Sequence, residues 1–251
     1  MIEYINELNK NIIKIKHGKE FELNLTILLP LLNFLKTFNL IDEDNLKMII
    51  DNETLKIKEL KYYKFTEFSR VSEKIDDYLS EFTDDIINQL PPDIDVQSVD
   101  FLLYEILINV YKHSKFNNAY LQVITQNNQY TDICIFDNGI GIPGSFKEAS
   151  MEYNNDCEAI FDAINGKTTD KEKYALHGRG LNSTARLTTL GFGGEMLIAS
   201  GKGICVITKE GAKPYLNDHE IKGTFVILRI NNSNIDDIYK YLKYENITRV
   251  D

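Results

Sequence analysis

The 251-residue chain reads as an α/β protein, and three observations carry that reading. Segments with apolar residues at helical spacing alternate with short runs rich in Ile, Val, Phe and Thr. Those runs are bounded by Asn, Asp and Gly, the residues that turn a chain. The helical segment around Glu105 is apolar around most of its circumference, as a helix buried between other layers must be.

Residues 1–68 read as a small α/β unit. It contains alternation at Phe21 to Leu25, an apolar segment from Ile27 to Phe38, a short strand from Leu46 to Ile50, and a Lys-rich stretch from Lys56 to Lys64. From Val71, the residues Ile75, Tyr78, Phe82 and Ile86 recur at steps of four, three, four and four, which predicts a helix ending before Pro91-Pro92. A second helix starts near Asp95 or Ser98, both good N-cap types, and runs through Val110. Two strands follow, Tyr120 to Thr125 and Thr131 to Phe136, joined as a hairpin through Asn127-Asn128. Residues 144–177 form a polar segment with some helical character at Glu158 to Ile164. After Gly180 a helix through Leu181, Ala185 and Leu187 stops at Gly191. Strands are expected at Met196 to Ala199, Ile204 to Thr208 and Thr224 to Ile230, with a helical tail from Ile235 to Tyr244.

Composition excludes several classes of function. The net charge of −10, from 28 basic and 38 acidic residues, argues against nucleic acid or an anionic membrane as the main partner. Three cysteines with no paired spacing suggest neither a disulfide framework nor a zinc site, which fits a reducing, cytoplasmic setting. The longest apolar run, Ile27 to Leu35, is short and broken by Pro30 and Asn33, so no membrane span is expected. The N-terminus lacks the order of a signal peptide.

The chemistry concentrates in Glu105-Ile-Leu-Ile-Asn109-Val-Tyr-Lys112-His113. Steps of four residues on a helix turn by about 40°, so Glu105, Asn109 and His113 share one drifting stripe, with Lys112 beside them. A carboxylate and an amide in so apolar a helix need partners, either other side chains or a ligand. Directly after the second hairpin strand comes Asp137-Asn-Gly139-Ile-Gly141, where the glycines permit tight turning and close approach by a ligand; a plain turn is the alternative. Gly178-Arg179-Gly180-Leu181 opens a helix, whose free N–H groups suit phosphate oxygens. Gly166-Lys167-Thr168 has the ending of a Walker A loop, but Phe161 stands where its first glycine belongs, and a P-loop is rejected.

In this order the three segments resemble the GHKL superfamily, the ATP-binding fold of histidine kinases, gyrase B, MutL and anti-sigma-factor kinases. Glu105-x-x-x-Asn109-x-x-Lys112-His113 resembles its N box, Asp137-x-Gly139-x-Gly141 its first glycine box, and Gly178-x-Gly180-Leu181 its second. Gly223-Thr224-Phe225 is similar to the late strand that supports adenine. The likeness spans roughly residues 70–231. It implies a Bergerat-type α+β two-layer sandwich, with a mixed sheet covered by helices on one face, in an ATP-binding domain over residues 69–251. Residues 144–177 would be the lid.

The resemblance also implies roles. Asn109 would hold Mg²⁺, Glu105 would be the catalytic residue that orients or activates the attacking group, and Lys112 would meet a phosphate. His113 would lie by the nucleotide and Asp137 would take the adenine amine, with Thr224 assisting. Gly139 and Gly141 would shape the base pocket, and Gly178, Arg179, Gly180 and Leu181 would bring the backbone to the phosphates. The branch is closer to histidine and anti-sigma kinases than to gyrase or MutL. His17, the only histidine upstream of the N box, lies in Lys-His-Gly-Lys-Glu, unlike a phosphoacceptor motif. The expectation is therefore a Mg²⁺-ATP-dependent regulator that phosphorylates or sequesters a protein partner. The alternative is an ATPase or a nucleotide-sensing module whose lid closure alters an interface. Expected partners are ATP and a signalling or STAS-type protein, since the N-terminal unit is faintly similar to STAS domains; a homodimer is a further candidate.

Overall fold

A computed structural model describes residues 60–66, 79, 83, 84, 86–88, 90–126, 130–169 and 180–250. Among them five strands form one sheet. They are β1 (Leu60–Thr66), β2 (Asn118–Gln126), β3 (Tyr130–Asp137), β4 (Glu195–Thr208) and β5 (Gly211–Asn231), in the spatial order β1-β2-β3-β5-β4. The helices are α1 (Val96–His113), α2 (Gly141–Glu148), α3 (Asp156–Ile164), α4 (Gly180–Arg186) and the single turn α5 (Tyr239–Leu242). A π-helical turn, Leu187–Gly191, prolongs α4.

Alternation along the strands sorts side chains onto two faces. Ile133 and Ile135 of β3, Met196, Ile198, Cys205 and Ile207 of β4, and Val226, Leu228 and Ile230 of β5 pack with the helices. α1 contributes Val99, Leu102, Leu103, Ile106, Leu107 and Val110 to that core, α3 contributes Ile160 and Ile164, and the α4 segment Ala185 and Leu187. The intervening residues Cys134, Phe136, Leu197, Ala199, Phe225 and Ile227 form a second buried cluster on the opposite face. This is the expected α+β sandwich. One expected feature differs: the resemblance implies a mixed sheet, yet all four strand ladders are antiparallel. β2–β3 and β4–β5 are directly connected pairs, and antiparallel pairing needs no helical crossover. One parallel pairing occurs, the isolated bridge between Ala212 and Arg249.

Two boundaries also shift. β1 lies inside the segment assigned to the N-terminal unit, but it pairs with β2 from Leu60↔Ile124 to Thr66↔Asn118, so the sheet begins before residue 69. The remainder of that unit, residues 1–59, and its STAS-like reading lie outside the described residues. The predicted lid loses its first half. α2 and α3 occupy 141–164, and Phe146, Ile160 and Ile164 are almost wholly buried, so this stretch is a packed wall rather than a cover. The predicted helix over 71–86 is described only in part, with Leu79, Thr83 and Ile86 helical and buried along one stripe.

Candidate functional site

α1 is fixed at both ends. Asp95 is its N-cap, with one carboxylate oxygen accepting from the Ser98 N–H at 2.8 Å and the other from the Ile235 N–H at 3.2 Å. At the other end Lys112 and His113 occupy the last turn, where positive charge suits the helix dipole. The Ser114 carbonyl then accepts from the Ile140 N–H at 2.7 Å, joining the end of α1 to the turn after β3.

That junction explains Gly139. A Cβ there would overlap the Ser114 carbonyl, a backbone atom with no room to retreat. Gly139→Ala is therefore expected to cost about 3 kcal/mol, the upper end for overpacking, read as a lower denaturant midpoint at unchanged m-value. Gly141 has φ +72° and lies against the Ser200 hydroxyl and the Gly223 carbonyl. Ser200 donates to Gly223 O at 2.7 Å and accepts from Ile142 N at 3.0 Å, so it ties the turn to the last two strands. Nothing in the sequence marks Ser200, because its role depends on the pairing of β4 with β5.

Asp137 ends β3 directly opposite Thr224 of β5. It is buried and accepts from the Gly139 N–H at 2.9 Å. Burial pushes its carboxyl up from 3.8 to about 7, opposed by the Gly139 N–H, the Ser114 hydroxyl and the Thr224 N–H. Near neutral pH this carboxyl sits at the midpoint of its titration.

Between α1 and these strand ends lies a cavity of about 550 Å³. Glu105, Asn109, Lys112 and His113 line one side, Asp137, Gly141 and Thr224 another, and Gly180 and Leu181 the start of α4. The sequence-predicted residues are thus brought together, apart from three. Gly139 shapes the turn without lining the cavity, and Gly178 and Arg179 lie outside the described residues. Gly180 meets the functional stripe of α1 closely, since a Cβ there would overlap the Glu105 carboxylate and come within 3.6 Å of Asn109 Nδ2.

Several lining residues were not anticipated as ligand-facing. Lys167, Thr168 and Thr169 follow α3 onto the cavity wall, although Lys167-Thr168 forms no P-loop. Thr169 Oγ1 is 3.2 Å from His113 Nδ1, and Lys167 pairs with Asp162 at 2.7 Å. Ser145 donates to the His113 carbonyl at 2.8 Å.

One internal observation marks the cavity as a place for a ligand or water with an acceptor to offer. The Asn109 amide lines it with a buried nitrogen, Nδ2, that has no hydrogen-bond partner, a costly arrangement unless a ligand or water completes it. Among the described residues no group of three or more His, Cys, Asp or Glu side chains could hold a metal ion. A Mg²⁺ ion at Asn109 would therefore draw most of its oxygen shell from phosphate and water, its usual preference. No helix among the described residues is long and apolar enough to cross a membrane.

No protein-family model and no curated protein matches the chain. Among solved structures, it is similar to the histidine kinase domain of the blue-light activated histidine kinase from Erythrobacter litoralis EL346, at 15% identity, covering 90% of this chain and 95% of that one, with a TM-score of 0.31.

Proposed function

We propose that this protein is a Mg²⁺-ATP-binding, histidine-kinase-like signalling regulator that phosphorylates or sequesters a protein partner. One observation carries the reading: a single cavity joins a buried carboxyl on a strand end to a stripe of carboxylate, amide, ammonium and imidazole on α1. That pairing matches the two ends of a nucleoside triphosphate, whose base offers an amino donor and whose phosphates demand positive charge. Asp137 and Thr224 would hold adenine. Lys112 and the start of α4 would face the phosphates, and the Asn109 amide oxygen would take Mg²⁺. The ion, when bound, supplies charge neutralisation on the phosphate oxygens.

Glu105 then lies one helical turn beyond Asn109, where a carboxylate can orient the attacking hydroxyl, imidazole or water and accept its proton. Retention of this carboxylate favours transfer over mere sensing, since binding alone draws on Asn109 and Asp137. The test follows γ-labelled ATP with purified protein and Mg²⁺, alone and with lysate from the source cell. Label on a protein is the expected result and identifies the acceptor. Free phosphate alone would make the protein an ATPase, and intact bound ATP a nucleotide-sensing module. Absence of ATP binding would overturn the proposal.

A further inference from the structure

Residues 238–250 run beside the cavity, which Leu242 lines, and bond to α4 and to the end of α3. Ser183 of α4 donates to the Leu242 carbonyl at 3.3 Å, Asn182 donates to the Glu245 carbonyl at 3.0 Å, and Arg186 pairs with the Glu245 carboxylate. A few residues on, the Ile247 N–H donates to Asn165 Oδ1 at 2.9 Å while Asn165 Nδ2 donates back to the Ile247 carbonyl at 3.2 Å. Tyr244 adds a bond to the Asn165 carbonyl at 3.0 Å. Asn165 is the C-cap of α3, immediately before Lys167, Thr168 and Thr169 on the cavity wall. Six residues, 242–247, therefore fasten α3 to α4, and Leu242 itself lines the cavity.

The fastening to α3 and α4 is made by hydrogen bonds and one ion pair, with few apolar contacts beside them, and residues 248–250 add backbone bonds to Ala212 of β5. α5 contains no buried residue, and Ile238, Tyr241 and Ile247 are only partly buried against the core. The joint with α4 also leaves an acceptor and a donor unused, because Asn182 Oδ1 and Arg186 Nε are both buried without partners one turn apart. A segment held by exchangeable hydrogen bonds, over polar atoms that gain water on release, detaches more readily than one held by a core.

We propose that residues 238–250 are a strap that regulates the nucleotide cavity: docked, it ties the Asn165 end of α3, and with it Lys167 to Thr169 on the cavity wall, to α4 and retains the ligand, and released, it frees that edge of the wall while the core of α3 stays packed. The inference rests on the proposed ATP site and names its regulation. Docking and ligand retention are then linked, so each stabilises the other.

The experiment measures dissociation of a fluorescent ATP analogue, chased with unlabelled ATP, from the full chain and from its Asn165→Ala and Glu245→Ala variants. Glu245 has a side chain 66% exposed and does not line the cavity, so its replacement leaves the core intact. Hydrogen exchange at the Ile247 and Val250 amides, which bond Asn165 Oδ1 and the Ala212 carbonyl, reports strap docking. The expected result is dissociation at least fivefold faster in Asn165→Ala and a smaller increase in Glu245→Ala, both with faster exchange, and slower exchange in the native chain once ATP is bound. Faster exchange with unchanged dissociation would overturn the strap while leaving the ATP site standing. Failure of the native chain to bind the analogue would overturn the ATP site and, with it, the regulation.

Discussion

Asp137→Asn is expected to raise stability above pH 7 and to weaken adenine-nucleotide binding in the same protein. The stability effect follows from linkage. Asp137 titrates near 3.8 when unfolded and near 7 when folded, so between those values the folded state binds the extra proton. Stability contributed by this group therefore falls as pH rises from about 4 to about 7, and above that the buried carboxylate costs up to about 4 kcal/mol. Asn keeps an oxygen to accept from Gly139 N–H and carries no charge at any of these pH values. The gain of the variant over the native chain should grow from pH 5, where it is under half its full size, to pH 8, where it is largest, measured by denaturant unfolding. An identical difference at both pH values would sink the assignment of a raised Asp137.

Binding moves the other way. The ionised carboxylate is the better acceptor for an adenine amine, so native affinity for ATP should improve from pH 6 to pH 8 as Asp137 loses its proton. The Asp137→Asn variant should lack that rise and should bind about 1–3 kcal/mol more weakly at pH 8, the scale for a hydrogen bond to a charged group. Calorimetric titration at the two pH values separates the effects. Unchanged ATP affinity in the variant would remove Asp137 from the base pocket. A stabilising substitution that harms binding is the pattern expected where a fold carries an unfavourable charge for function.

How much of this was legible depends on whether the signal is local. α1 was, because its cap, its apolar positions and its polar stripe all lie within residues 95–113, and of the two caps the sequence offered, Asp95 and Ser98, the structure uses Asp95. The hairpin was also legible, with Gln126 opposite Tyr130 and residues 127–129 between them outside the described residues. β4 was expected as two short strands, since Gly201 and Gly203 interrupt the alternation. The ladder instead continues through them with register shifts, and Gly203 is needed because a Cβ would press on the backbone of Asp156 and Cys157. β5 was expected only from Thr224, because Pro214 and the polar residues before Gly223 hide a strand that starts at Gly211.

α3 was legible as helical character at Glu158 to Ile164, and it is the lid role implied by the resemblance that its burial does not match. Cys157, Ile160 and Ile164 are spaced three and four apart and are buried, so the spacing that marks the helix also marks its inward face. The tail was expected to be helical from Ile235 to Tyr244 and is helical only at Tyr239–Leu242. Its bonds to Asn165, Asn182 and Arg186 join residues about 60 to 80 apart in the chain, beyond the reach of any periodicity. The candidate site was legible residue by residue along α1 and at Asp137. Ser200, Ser145 and Leu242 join it only through the tertiary fold.

Glu105→Ala is expected to leave ATP affinity within about threefold of native while lowering turnover by roughly 10²- to 10⁴-fold, the range for loss of a positioned general base. The competing role is visible in the same geometry. Glu105 lies so close to Gly180 that its carboxylate could serve only as a spacer seating α4 on α1. Alanine removes both functions at once, so a loss of turnover in that variant does not by itself tell them apart. Glu105→Gln does, because glutamine preserves the shape and hydrogen-bonding reach of the side chain but accepts no proton at neutral pH. A base requires Gln to be as impaired in turnover as Ala, with ATP affinity and unfolding midpoint near native in Gln. A spacer requires Gln to restore turnover, affinity and stability together, and that result would reassign Glu105 from chemistry to the packing of α4. Single-turnover rates and ATP binding measured on the same three proteins decide between them, since a base predicts loss of the chemical step in Gln with affinity near native in Ala, whereas a spacer predicts loss of affinity and stability in Ala that Gln restores.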